Sequence, residues 1–113
     1  MSDRIRIYPA EGTWVVRAEG AVIAESPAAL EVTLDEAAPV IHFPRADVAM
    51  AFVEPSGTRS VCPVRGEGVY YDIVTSAGVL RDAGWAYENP PEDHARIAGC
   101  LAFDTTRVTV ERL

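Results

Sequence analysis

The chain has 113 residues, which provide one domain with one hydrophobic core and exclude a second independent domain. Its residues are 49% hydrophobic and 24% charged, a composition that is typical of globular proteins and excludes a disordered chain. A net charge of -7 repels phosphate backbones and anionic membranes, so we expect no nucleic acid and no membrane among its partners.

Short runs of β-branched residues, alternating with polar ones between turn residues, predict a mainly β fold. In the first half of the chain, strands are predicted at residues 5–7, 13–18, 21–25 and 40–43. Glu19-Gly20 predicts a tight hairpin turn, because Gly readily adopts the positive φ that such turns need. Residues 28–34 fit a helical turn or a strand, since Ala and Leu favour helix whereas Val and Thr favour extension.

The second half of the chain continues with strands. Residues 47–54 predict a strand with alternate apolar side chains toward the core, and residues 55–58 predict a turn. Residues 59–68 are expected to lack regular structure, because Gly and Pro interrupt them. Further strands are predicted at 69–75 and 79–87, as a hairpin, and at 107–113.

One helix is predicted at residues 92–101. Pro91 suits the first turn, and the acidic pair Glu92 and Asp93 complements the helix dipole. Ile97 and Leu101 lie one turn apart on one face. The full pattern therefore predicts a single domain over residues 1–113, with about eight strands in two packed antiparallel sheets and this one short helix.

Several reaction classes lack the residues that they need. All ten basic residues are arginine, so no lysine is present for a Schiff base, a phosphate-binding loop or general-base chemistry. Neither a Gly-rich nucleotide-binding motif nor a G-x-S-x-G hydrolase motif occurs. The His and Cys residues lack the paired spacing of zinc sites, so we predict that the protein folds without metal and uses no cofactor.

The N-terminal sequence MSDRIRIYP contains no apolar segment typical of a signal peptide. No apolar run approaches the ~20 residues of a membrane span. We therefore expect a cytoplasmic protein in which Cys62 and Cys100 are reduced thiols.

Arg45 and Asp47 flank a bend that follows Pro44. In this arrangement they would form an ion pair or a clamp for an anion. A salt bridge that only locks the bend is an equally good interpretation of the same residues.

Cys62 lies between Arg59 and Arg65 along the chain. Nearby cations lower the pKa of a thiol toward the reactive thiolate, so Cys62 is a candidate catalytic residue. A buried, unreactive cysteine is the more common outcome for such a residue.

Aromatic residues are concentrated on the second predicted hairpin, at Tyr70, Tyr71, Trp85 and Tyr87. One face of this hairpin is expected to fill the core, which leaves the other face for stacking on a planar ligand. We expect at least half of these rings in the core.

These motifs resemble those of the small bacterial and fungal proteins grouped as domain of unknown function 427. The resemblance covers residues 4–111 and rests on four groups: Phe43-Pro44-Arg45 with Asp47-Val48; Thr58, Cys62-Pro63 and Gly66 with Tyr70; Trp85-Ala86-Tyr87 with Pro90; and Ile97-Ala98-Gly99 with Ala102-Phe103. The chain departs from the family at Val64 and Arg65, where an aromatic and a lysine are common, and at Cys100, where the family has an aromatic. The resemblance implies a mostly β domain of the type called a beta-tent. It implies no established activity, and the nucleotidyltransferase label that the family has carried finds no motif in this chain.

Two functions stay open for these residues. The first is a binding module for a small anionic or planar ligand, in which arginines would hold an anionic group and aromatic rings a planar one. The predicted ligand-binding residues are Arg45, Asp47, Arg65, Tyr70, Trp85 and Tyr87. The alternative is a thiol-dependent enzyme that uses Cys62 as nucleophile or redox centre.

Overall fold

A computed structural model describes residues 5–62 and 66–113. Strands make up most of this part of the chain, which confirms the prediction of a mainly β fold. In chain order they are β1 (Ile5–Pro9), β2 (Trp14–Ala18), β3 (Ala21–Ser26), β4 (Leu30–Leu34), β5 (Val40–His42), β6 (Val53–Cys62), β7 (Gly66–Thr75), β8 (Gly78–Tyr87), β9 (Leu101–Phe103) and β10 (Thr109–Arg112).

The strands form three antiparallel sheets, where the sequence predicts two. Sheet A has the order β1-β4-β5, sheet B the order β10-β2-β3, and sheet C the order β6-β7-β8-β9. Reciprocal backbone hydrogen bonds between Phe43 and Leu101, 2.7 and 2.9 Å long, join sheet A to sheet C just beyond the end of β5. A backbone bridge between Ala24 and Val48 ties sheet B to the segment that follows β5.

Both predicted hairpins are confirmed. β2 and β3 are joined by Glu19 and Gly20, which have φ values of 51° and 86°. Two successive residues with positive φ give the turn that matches the twist of the flanking strands. β7 and β8 are joined through Ser76 and Ala77. The ambiguous segment is extended, and it forms the central strand β4 of sheet A.

The strand predicted at residues 47–54 is wrong over most of its length. Two short 3₁₀ helices, Arg45–Asp47 and Met50–Phe52, precede β6, which begins at Val53. The Ala-Met-Ala-Phe sequence at residues 49–52 has no β-branched residue, so little in it favours an extended backbone over a helical turn.

The turn predicted at 55–58 is wrong, and the irregular segment predicted at 59–68 is wrong where the structure describes it. β6 runs through residues 55–58 and on to Cys62 as one long strand at the edge of sheet C, with a register shift between Pro55 and Arg59, and residues 66–68 belong to β7. Residues 63–65 lie outside the described residues. An edge strand tolerates a proline, and a bulge accommodates Gly57 with its φ of 91°. The local breaker residues therefore bend the strand without ending it.

The helix predicted at 92–101 is replaced by a shorter element. The 3₁₀ helix Glu92–Ile97 contains a non-helical residue, His94, with φ of -118°. Gly99, with φ of 74°, then redirects the chain so that Leu101 begins β9 and pairs with Phe43. The pairing of Leu101 in the sheet outweighs the local helix signals.

Side chains from all three sheets share one large core cluster. Phe43 is fully buried in this cluster and meets the Phe103 ring edge-on, with the ring centroids 5.9 Å apart. A smaller cluster, made by Val32, Tyr87 and Ile97, fills the space near the 3₁₀ helix Glu92–Ile97. The two clusters fix the three sheets around a cavity to which all of them contribute.

Candidate functional site

A cavity of about 700 Å³ lies where the three sheets meet. Its volume is within the range of small-molecule sites. Each sheet contributes to the wall: the lining includes Trp14 and Val110 from sheet B, Glu31, Val40 and Ile41 from sheet A, and Tyr70, Trp85 and Phe103 from sheet C. We call this cavity the aromatic cleft.

Tyr70 and Trp85 form the aromatic wall of the cleft. They are direct cross-strand partners on β7 and β8, and their ring centroids are 6.2 Å apart at an interplanar angle of 37°. Directly opposed residues of an antiparallel pair point to the same face, which explains why both rings reach the cleft. Trp14 adds a third ring, held in place by a hydrogen bond from its Nε1 to the Glu11 carbonyl (3.0 Å).

Three acidic residues line the aromatic cleft, and none of its described lining residues is basic. Two of the three are already engaged by neighbouring groups. Hydrogen bonds from Ser56 and Thr58 lower the pKa of the Asp82 carboxyl. Hydrogen bonds from Thr106 and the nearby Arg107 guanidinium lower the pKa of the Asp104 carboxyl.

Glu31 is the third acidic residue, and it differs from the other two. It lies on β4 opposite Tyr8 on one side and Ile41 on the other, and it is half-buried. Its carboxylate makes no hydrogen bond or ion pair with any residue that the structure describes. The Tyr70 hydroxyl and the Trp85 indole N–H are likewise without a side-chain hydrogen bond inside residues 5–62 and 66–113. The cleft therefore offers the Glu31 carboxylate as an acceptor, together with the neutral polar groups of Tyr70 and Trp85.

The other two rings of the second hairpin lie in the core. Tyr71 and Tyr87 are each only 7% exposed. Tyr87 belongs to the smaller cluster and stacks on His42, with centroids 6.5 Å apart. The structure thus places Tyr87 in the core, although the sequence predicts it as a ligand contact.

Arg45 pairs with Glu88, and the predicted ion pair with Asp47 is wrong. Arg45 Nη2 lies 2.8 Å from Glu88 Oε2 and 3.3 Å from the Tyr71 hydroxyl, and Arg45 Nε donates to the Gly99 carbonyl at 3.2 Å. Burial alone would lower the pKa of Arg45, but its contacts with Tyr71 and Glu88 raise the pKa above its ordinary value. The Arg45 guanidinium stays charged and is neutralised by Glu88.

The Arg45 cluster does not contribute to the aromatic cleft. Tyr71 and Glu88 belong to the wall of a smaller cavity of about 420 Å³, together with the exposed ion pair of Arg59 and Glu67. Both glutamates of this second cavity are therefore paired with an arginine, Glu67 with Arg59 and Glu88 with Arg45. The structure therefore separates Arg45 from Tyr70 and Trp85, although the sequence predicts one ligand for all three.

Asp47 has a different partner, Ser26. The Ser26 hydroxyl is fully buried, donates to Asp47 Oδ2 at 2.5 Å and accepts the Ala28 N–H at 2.9 Å. This contact fastens the 3₁₀ helix Arg45–Asp47 to the end of β3. Asp47 therefore has a structural role in this arrangement.

The two cysteines are not joined by a disulfide. Cys62, at the end of β6, is half-buried, packs against the smaller core cluster and is not part of the wall of the aromatic cleft. Cys100 is buried, and burial raises the pKa of its thiol. Arg65, the second predicted arginine, lies outside the described residues.

No three His, Cys, Asp or Glu side chains within residues 5–62 and 66–113 come together as a metal site. Folding without metal stays a prediction. None of the helical segments in the described part of the chain is long and apolar enough to cross a membrane.

A family model described as "Domain of unknown function (DUF427)" matches residues 6–113. The chain belongs to the DUF427 family. This match confirms the resemblance drawn from the sequence motifs. Among curated proteins, none matches this chain.

Sequence reasoning missed two residues of the aromatic cleft, Trp14 and Glu31. Trp14 begins a correctly predicted strand, and an aromatic residue at a half-buried strand position is the signal that could have marked it. Glu31 lies in residues 28–34, the segment whose sequence fits a helical turn or a strand, and no local pattern there indicates which residues of other strands lie near Glu31. Only the packing of sheet A against sheet C brings Glu31 to the same cavity as Trp85.

Proposed function

We propose that this DUF427 protein is a small-molecule binding module and that the aromatic cleft receives the planar part of its ligand. The observation that carries the proposal is the Tyr70 and Trp85 pair. Its rings line an open cavity, and no described residue makes a side-chain hydrogen bond to their hydroxyl and indole groups, whereas the core rings of the same hairpin are buried. Aromatic walls with a few convergent polar groups are typical of ligand sites.

Stacking supplies the affinity in this proposal. Offset or tilted ring pairs add about 0.5–1.5 kcal/mol each beyond the area that they bury. A planar ligand beside Tyr70 and Trp85 would also displace water from Ile41, Phe103 and Val110, which form the apolar part of the wall. Ligand orientation would follow from hydrogen bonds to the Tyr70 hydroxyl and the Trp85 N–H.

An anionic group, expected from Arg45 and Arg65 in the sequence, receives no support from the aromatic cleft. An anion at Arg45 would compete with Glu88, which already holds the Arg45 guanidinium at 2.8 Å. Our proposal therefore keeps the planar part of the predicted ligand and omits the anionic group. A cytoplasmic location and the absence of nucleic acid or membrane partners stay predictions.

Tryptophan fluorescence tests this proposal, because both tryptophans of the chain, Trp14 and Trp85, line the aromatic cleft. We expect benzamide, a neutral planar probe, to change the emission saturably with a dissociation constant of about 1 mM or tighter. Tyr70→Leu should weaken binding about fivefold by removing one ring contact. Val79→Ala, at an exposed position of β8, is the control and should leave the affinity unchanged.

Two results would contradict the binding function. One is the absence of any saturable emission change, up to the solubility limit, with benzamide and with planar probes of similar shape that carry a charge. The other is a Tyr70→Leu variant that folds and binds benzamide as tightly as the wild type.

A further inference from the structure

We infer that the aromatic cleft selects a planar cation and that Glu31 is its charge partner. This inference rests on the proposed binding function and names the chemical class of its ligand. Amidinium, guanidinium and protonated heteroaromatic groups belong to this class, because each combines a flat shape with a delocalised positive charge.

The charges of the cleft wall favour a cation. Glu31, Asp82 and Asp104 line the cavity, and no arginine or histidine is among its described lining residues. Asp104 is compensated by Arg107, and Asp82 accepts from Thr58 at 3.0 Å. Glu31 alone has a carboxylate that no described residue engages. A half-buried carboxylate in an apolar wall interacts with a charge more strongly than one in bulk water.

The aromatic faces favour a cation independently of the acidic residues. A cation within about 6 Å of a Trp or Tyr ring face is attracted by the negative electrostatic potential of the ring. Trp14, Tyr70 and Trp85 all line this cavity. The same faces attract no anion, so rings and carboxylate favour one sign of charge.

The geometry also favours a flat cation over a spherical one. A carboxylate accepts two parallel N–H groups from an amidinium or guanidinium, which fixes the plane of the ligand as well as its position. A flat group held in this way can stack beside Tyr70 and Trp85 while it binds Glu31. A simple ammonium ion lacks the second donor and the stacking surface.

Three probes of similar shape separate charge from planarity: benzamidine is a cation, benzamide is neutral and benzoate is an anion. We expect benzamidine to bind about tenfold tighter than benzamide, from the combined ion pair and ring contacts, and benzoate to bind weakest. This order is measured on the wild-type protein and does not depend on a variant that folds.

Glu31→Gln keeps the shape of the side chain and removes its charge. We expect this variant to bind benzamidine about fivefold to tenfold more weakly and benzamide as the wild type does. Glu25→Gln is the matched control, because Glu25 is exposed on β3 and does not line the cavity. It changes the net charge by the same amount and should leave benzamidine binding intact.

The outcomes separate this inference from the binding function on which it rests. Benzamide binding without a preference for benzamidine, or with a preference that Glu31→Gln leaves intact, would overturn the charge selection and leave the binding function standing. An equal loss of benzamidine affinity in Glu25→Gln would overturn the assignment to Glu31, because it would show a general effect of net charge. Failure of all three probes to bind would overturn both proposals.

Discussion

Tyr70 on β7 and Trp85 on β8 are direct cross-strand partners whose ring centroids lie 6.2 Å apart, and both line the cavity where the three sheets meet. Their neighbours Tyr71 and Tyr87 are buried in the core. One hairpin thus supplies both the packing that holds sheet C in the fold and the rings that form the candidate site. The contacts that place these elements can be tested one at a time.

The partner of Arg45 is testable by double-mutant cycles of unfolding free energy. Because the Arg45 and Glu88 side chains are 37% and 39% exposed, we expect a coupling of only about 0.5–1 kcal/mol between Arg45→Ala and Glu88→Ala. The cycle of Arg45→Ala with Asp47→Ala should show no measurable coupling. A larger coupling with Asp47 than with Glu88, from urea midpoints of the variants, would contradict the pairing of Arg45 with Glu88.

Removing the buried Ser26 hydroxyl should lower the unfolding free energy, although the group is small. Ser26→Ala removes the donor to the Asp47 carboxylate and the acceptor for the Ala28 N–H. We expect a loss of about 1–3 kcal/mol in unfolding free energy. Ser76→Ala, in the exposed turn of the second hairpin, is the control and should change stability by less than about 0.5 kcal/mol. Equal effects of the two substitutions would count against the role of Ser26.

Acid stability should depend on Asp104. Hydrogen bonds from Thr106 and the charge of Arg107 lower the pKa of Asp104 below its ordinary value of 3.8, so its carboxylate stabilises the folded state above that pH. The contribution is lost as the pH falls through the lowered pKa of the folded protein. We therefore expect the difference in unfolding free energy between wild type and Asp104→Asn to be constant near neutral pH and to shrink below about pH 4. A difference that stays constant down to about pH 2 would contradict this role of Asp104.

Alkylation by iodoacetamide, followed by peptide mass spectrometry, separates the two thiols. Burial raises the pKa of Cys100, so we expect Cys100 to react more slowly than the half-buried Cys62 at every pH. The thiol-enzyme alternative further requires Cys62 to react with a midpoint well below the ordinary thiol pKa of about 8.5. A midpoint near that value, or full protection of Cys62, would exclude the alternative. Faster reaction of Cys100 would contradict its burial.

The elements that the sequence predicts correctly are those with local causes. The first hairpin follows from Glu19 and Gly20, because their positive φ values are a property of the turn itself. The second hairpin follows from two β-rich segments around a short polar turn. At both hairpins the strand propensities and the turn residues favour the same local structure that the fold contains, so tertiary contacts do not oppose it.

The wrong predictions fall where distant contacts decide. Glu92 and Asp93 favour a helix, but the helical segment ends at Ile97. It does not continue to Leu101, because Leu101 pairs with Phe43. Pro55 and Gly57 suggest a turn, but β7 pairs with β6 on both sides of them. The candidate site shows the same limit. Aromatic content marks Tyr70 and Trp85, whereas Glu31 joins them only through the packing of separate sheets.

Intermolecular NOEs between benzamidine and the protein are the most direct test of the central claim, that the aromatic cleft is a binding site. We expect NOEs from the benzamidine ring protons to the ring of Tyr70 and to the indole of Trp85, since both line one cavity. The NOEs to Trp85 should weaken in Tyr70→Leu, and the NOEs to both rings should persist in Val79→Ala. NOEs confined to residues outside the cleft would contradict the claim.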